Sequence, residues 1–181
     1  KEAEEKAAAK AAQEAAEAER IAAEAAVQQG MNAENHAVDV SGANSDSIDG
    51  SVNSFAVDWT ADKANFVNEW AGRIDNYLAG SPLSGKGVVF AEAAWDYGVD
   101  PRWSPAISYV ESSRGAVCFR PHNAWGWGSS SWSNWDEASR AHVAGLARVY
   151  GPTLTLSAAK KYCPPSYTSW YNQVLGQMNS I

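Results

Sequence analysis

Glu111 is the residue whose surroundings best suit acid–base chemistry. It lies in SPAISYVESSRG, Ser104 to Gly115. Ser104 reads as a helix N-cap and Pro105 as the first helical residue, where a missing N–H costs nothing. Ala106, Ile107 and Val110 then form an apolar stripe on one face of a short helix. Glu111 comes four residues after Ile107, so it is expected to extend that stripe, near the negative end of the helix. A carboxyl so placed has a raised pKa, as a general acid working near neutral pH requires. The plainer alternative is a helix-terminal Glu in solvent.

The elements that must position this residue lie in the second two-thirds of the chain. All nine Trp occur from Trp59 onward, so the core and any ligand surface are expected there. The segment to Asp58 holds twelve acids against four bases, a net charge of −8; the whole chain carries −7, which leaves +1 for the aromatic part. No basic run suggests nucleic acid, and no stretch is long and apolar enough to span a membrane. Three scattered histidines and two cysteines show no metal-ligand spacing, and no cofactor motif occurs. The chain starts at Lys1 without a signal-like segment and reads as a processed piece of a longer protein.

The chain divides into three regions. Residues 1–29 are almost wholly Ala, Glu, Lys and Gln, which predicts a helix of about 42 Å over Lys1–Gln28. Its seam is Ala-rich with only Ile21 and Val27 as large apolar residues, a weak coiled-coil pattern that suits a stalk, self-association or a partner helix; a lone solvated helix is the alternative. Residues 30–59 fill with Asn, Ser, Asp and Gly and read as a flexible linker, with Ser51–Trp59 lying extended against the domain. Residues 60–181 form that domain. Helices are predicted from a Thr60 cap to Leu78, from Gly85 to Tyr97 with Gly98 as C-cap, around Glu111, from an Asn134/Glu137 capping box to Tyr150 with Gly151 closing it, over Thr155–Tyr162 and over Tyr167–Met178. Cys118–Trp135 is irregular or a small hairpin. Cys118 and Cys163 lie in loop-like contexts and are expected to form a disulfide worth roughly 3–5 kcal/mol, which would point to an extracellular protein; two free thiols are the alternative.

The stretch SGKGVVFAEAAWDYGVDPRWSPAISYVESSRG resembles the N-terminal half of lysozyme-superfamily enzymes that cut bacterial peptidoglycan. In these a "YGVDP"-like turn, here Tyr97 to Pro101, leads into a Glu with Ser or Thr after it, here Glu111-Ser112. The resemblance covers roughly Phe66 to Ile181. It implies a mostly α (α+β), lysozyme-like domain and makes Glu111 the catalytic acid. Gly115 with Asn123-Ala-Trp-Gly126 is similar to the "E-T-G-x-G … N-x-F-G" pattern of endo-β-N-acetylglucosaminidases, whose second element lines the cleft floor. Lys161-Tyr162-Cys-Pro-Pro is similar to their "Y-A-T-D-P-x-Y" segment, which implies that Tyr162 faces the active site. The "G-L-M-Q" of lytic transglycosylases is replaced by Trp125-Gly-Trp-Gly.

The resemblance therefore implies a secreted bacterial cell-wall hydrolase that cuts β-1,4 bonds of peptidoglycan glycan strands. Glycosidic cleavage needs a proton for the leaving oxygen and a group to meet the oxocarbenium-like centre. No second carboxylate stands out: Asp136 and Glu137 suit a helix N-terminus, and Asp96 and Asp100 a turn. The substrate's own N-acetyl oxygen or C6 hydroxyl can take that role. Trp125, Trp127, Trp132 and Trp135 share a Gly/Ser-rich stretch that is not expected to bury them all. Trp125 or Trp127 is expected at the cleft, stacking on sugars, and Trp135 inside; core packing is the alternative. Ser112, Asn123, Trp125, Gly126 and Trp127 are the candidate substrate-binding residues, with Asn123 holding an N-acetyl group or serving a turn. Arg114 and Arg120 suit the carboxylates of peptidoglycan, or are solvated surface residues. A lytic transglycosylase or muramidase, a glycan-binding module that does not cut, and a scaffold built on the N-terminal helix are the alternative functions.

Overall fold

Phe66, Trp70, Ile74 and Leu78 recur every fourth residue, which sets them on one face of a helix. In the computed structural model, which describes residues 57–181, they are buried along α1, Lys63–Leu78. Asp62 caps this helix by accepting from the Asn65 amide at 3.0 Å, two residues beyond the expected Thr60. Thr60 is tied back to Asp58 instead, through its hydroxyl at 2.6 Å and its amide at 2.9 Å. Trp59 stacks on Phe66 at 5.2 Å, so the end of the expected linker does lie against the domain.

The second helix, α2 (Gly87–Tyr97), approaches α1 so closely that a Cβ on Gly87 would stand 2.2 Å from the Ala71 carbonyl oxygen. The Gly87 amide donates to Asp75 of α1 at 2.7 Å, which caps α2 from its neighbour and starts it there, not at Gly85. Gly98 ends α2 in the left-handed region, φ +63°, as its position predicted. Asp100 and Arg102 then form a buried bidentate pair, 2.9 and 2.7 Å, and Asp100 also accepts from the Arg102 amide at 3.0 Å. This starts α3 at Trp103, ahead of the expected Ser104 cap. Ser104 turns its hydroxyl to His142.

The first six residues of α3 (Trp103–Ser112) are all buried, so this helix is the axis of the domain. Asn134 caps α4 (Trp135–Gly145) by accepting from the Glu137 amide at 2.9 Å, while Glu137 reaches back to the Ser133 amide at 3.1 Å. The helical path continues as a π turn, Leu146–Tyr150, and stops at Gly151, φ +103°. Thr155 caps α5 (Leu156–Tyr162), and a 3-10 turn at Pro164–Ser166 leads into α6 (Tyr167–Met178). Helix α2 packs against both α1 and α4, and α6 packs against both α3 and α5.

The described residues are mostly helical and hold no strand, so neither the small hairpin nor the β part of an α+β fold is found among them. No helix of the described residues is long and apolar enough to cross a membrane. The expected helix over 1–29, its self-association and the linker as far as residue 56 lie outside the described residues.

The expected disulfide is corrected: Cys118 and Cys163 are both free. Each thiol is satisfied within its own loop, Cys118 by the Gly115 carbonyl at 3.5 Å and Cys163 by the Ser166 hydroxyl at 3.4 Å. Burial pushes the Cys118 thiol above its ordinary range, which holds it protonated.

Candidate active site

Helix α3 delivers Glu111 to the surface in its last turn, where Tyr109 and Glu111 are exposed. This corrects the expectation that Glu111 continues the buried stripe. The stripe ends because the last turn of α3 borders an open recess, which uncovers Glu111 while Ser112 beside it stays buried against the loop at Ala124. The carboxylate is nonetheless held. Its Oε1 accepts from the indole N–H of Trp170 at 2.7 Å, across 59 residues of chain. Its Oε2 faces Gly126, where a Cβ would come within 3.0 Å. Gly126 has φ +66°, so both its backbone and its missing side chain make room for the acid.

The chain leaves α3 through three consecutive left-handed residues, Ser113 (φ +52°), Arg114 (φ +60°) and Gly115 (φ +86°). Two of them carry side chains, a local cost of roughly 1–2 kcal/mol each. Ser112 fastens this reversal: its hydroxyl accepts from the Gly115 amide at 2.9 Å and donates to the Ala124 carbonyl at 2.7 Å. It thus ties the end of α3 to the loop that carries Gly126. Asn123 builds that loop from within. Its Oδ1 accepts from the Trp127 amide at 3.0 Å, and its Nδ2 donates to the carbonyls of Trp127 and Ser130 at 2.9 and 3.1 Å. Those bonds occupy the amide, so Asn123 shapes the site and does not reach toward an N-acetyl group.

The tryptophan expectation is reversed. Trp125 and Trp127 are in the core, 0 % and 2 % exposed, and Trp135 is only half-buried. Trp125 donates to the Ser104 carbonyl at 3.0 Å and stacks on the imidazole of His142 at 4.6 Å. Trp127 fills a gap left by Gly145, where a Cβ would meet the indole at 1.9 Å. Trp132 is buried too. The glycines beside these indoles turn the backbone so that the rings point inward, a folding of the loop that composition does not reveal.

Tyr162 lies behind the site. It is buried, its hydroxyl donates to the Trp125 carbonyl at 2.8 Å, and its ring stacks on Trp170 at 4.7 Å. It therefore supports both sides of the carboxylate, the Trp170 donor and the 125–126 backbone. Its oxygen also stands 3.4 Å from His142 Nε2, while His142 Nδ1 is 2.8 Å from the Ser104 hydroxyl. In the sequence Trp170 is only a helix-face residue and His142 one of three scattered histidines. Their spacing carries no local signal of this role.

A recess of about 110 Å³ opens over Glu111, lined by Ser112, Val117, Phe119, Arg120, Asn123, Gly126 and Gly128. No second carboxylate lines it. Asp136 pairs with Lys86 at 2.6 Å, Asp96 with Lys63 and Asp100 with Arg102, so these acids are engaged in ion pairs away from the recess. No group of three or more His, Cys, Asp or Glu suited to a metal occurs among the described residues. Comparison with protein-family models, with curated proteins and with solved structures gives no match.

Proposed function

We propose that this protein is a glycoside hydrolase of the bacterial cell wall, secreted, with a lysozyme-like domain and with Glu111 as its general acid. The observation that supports this reading is the fixed but open carboxylate: Trp170 holds one oxygen, Gly126 makes room for the other, and a recess opens above it. A general acid must be oriented toward the proton acceptor while remaining reachable from solvent, and this arrangement meets both needs. The substrate is the β-1,4 glycan strand of peptidoglycan, the linkage implied by the resemblance of Tyr97–Ser112.

In this reaction protonated Glu111 gives its proton to the bridging oxygen as the C1–O bond breaks, and that oxygen leaves as a hydroxyl. The cationic sugar is met by its own N-acetyl oxygen, forming an oxazoline that water opens, or by its C6 hydroxyl, forming an anhydro sugar. In either case the Glu111 carboxylate takes up the proton that the attacking water or hydroxyl loses, which restores the acid. A recess with a single acid suits a reaction in which the substrate supplies this second group. The glucosaminidase product is favoured by the resemblance of Gly115 and Asn123–Gly126, since Asn123 and Gly126 line the recess, whereas Tyr162 is buried behind it.

Digestion of purified peptidoglycan by the wild type and by Glu111→Gln, with reduced fragments identified by mass spectrometry, tests the proposal. Reduced N-acetylglucosamine ends from the wild type alone support it. Anhydro-muramic ends would indicate a lytic transglycosylase and reduced muramic ends a muramidase. Binding without cleavage by both proteins would mark a glycan-binding module, and equal cleavage by both would remove Glu111 from the mechanism.

A further inference from the structure

The part of the recess lining that follows α3 has a composition that acid chemistry alone does not use. Phe119 is fully exposed and Val117 68 % exposed, and both line the recess beside Glu111. Apolar side chains scattered singly over a surface need no explanation, but two on the rim of one recess form a patch. The segment bearing them is tied down at both ends. The Val117 amide donates to the Ser112 carbonyl at 3.0 Å, the Asn123 amide to the Arg120 carbonyl at 3.1 Å, and the Trp132 amide to the Pro121 carbonyl at 3.2 Å. The backbone that carries the two side chains is thus fixed.

Arg120 completes the patch. Arg73 pairs with Glu69, Arg102 with Asp100 and Arg140 with Glu92. Arg114 donates to the Tyr77 carbonyl and lies over the rings of Tyr77 and Tyr109, which withdraws it from the role that its sequence position suggested. The side chains of Arg120 and Arg148, by contrast, make no hydrogen bond or ion pair to any described residue, and of the two it is Arg120 that lines the recess. The recess is well below the roughly 300 Å³ of a pocket that encloses a whole small ligand. It accepts a substituent while the body of the ligand lies across the rim.

We propose that Val117, Phe119 and Arg120 form a subsite that selects glycans bearing a carboxylate. The apolar face of a sugar lies on Phe119 and Val117, and its anionic substituent meets the Arg120 guanidinium. This rests on the glycan reading of the Glu111 site and adds to it the residues that recognise the ligand's acidic groups. A guanidinium presents a planar fork of donors that fits a carboxylate, whereas an uncharged sugar leaves that charge unanswered.

The test is equilibrium binding to the full 181-residue chain carrying Glu111→Gln, so that no turnover occurs. Two probes are compared by calorimetry: an uncharged N-acetylglucosamine tetrasaccharide, and a tetrasaccharide of the same length alternating N-acetylglucosamine and N-acetylmuramic acid. The expected result is about fivefold tighter binding of the acidic probe, on the order of one exposed ion pair, with the difference shrinking as salt is added. Adding Arg120→Gln abolishes the difference and leaves the neutral probe's affinity unchanged; adding Phe119→Ala weakens both probes. Equal binding of the two probes, or a preference that survives Arg120→Gln, overturns the subsite while leaving the glycan reading in place. Failure of both probes to bind overturns the glycan reading and the subsite together.

Discussion

Gly126 and Gly98 form a matched pair that isolates what the loop does for Glu111. Both are left-handed, φ +66° and +63°. A Cβ on Gly98 meets nothing within 4 Å, whereas one on Gly126 stands 3.0 Å from Glu111 Oε2. Substituting Ala at either position forces an L-residue into the left-handed region, at about 1–2 kcal/mol. Each variant is therefore expected to lose on the order of 5 °C of melting temperature. Only Gly126→Ala also pushes the carboxylate, which must shift by a few tenths of an ångström and surrender part of the 2.7 Å bond from Trp170. Misplacing a reacting group by a fraction of an ångström to one ångström costs on the order of 10–100-fold in turnover. The assay is release of reducing ends from peptidoglycan at a temperature where both variants are fully folded by circular dichroism. Gly98→Ala should match the wild type per folded molecule, and Gly126→Ala should fall by that factor. Equal activities of the two variants would refute the claim that Gly126 makes room for a working carboxylate.

Other perturbations separate positioning from packing. Trp170→Phe keeps a ring against Tyr162 but removes the N–H, a charge-assisted bond worth about 1.5–3 kcal/mol, so turnover should drop at least tenfold with little change in KM. An unchanged rate would mean that the indole only packs. Gly145→Ala places a methyl 1.9 Å from the Trp127 ring, an overpacking that costs roughly 3 kcal/mol or more, and thermal melts should show a strongly lowered or absent transition. Burial pushes the Tyr77 phenol well above its ordinary range. In the folded state it stays protonated at pH values where the unfolded chain would release the proton, so this stability is present below about pH 10 and is lost as pH rises beyond it. Urea denaturation of Tyr77→Phe should accordingly show a shallower alkaline decline than the wild type, and identical pH slopes would contradict that account.

Local chemistry decided most of the helical frame. Gly98, Gly151, the Asn134 cap and the Tyr167–Met178 helix were legible because caps and 3.6-residue periodicity depend on neighbours in sequence. The place of Glu111 near a helix end was legible too, while its role as the acid is the proposal that the resemblance suggests. Its surroundings were not. Whether Trp125 faces a cleft or the core depends on Ser104, Phe90 and His142, and no spacing within NAWGWG encodes those partners. Asn123 could have held a ligand until the loop used its amide, and the two cysteines could have paired, but each has its hydrogen-bond partner within its own turn. The residue types that can do chemistry were thus determined by the sequence alone. Which of them meet was decided only by the tertiary structure, because the packing of α6 against α3 brings the Trp170 indole to Glu111 across 59 residues.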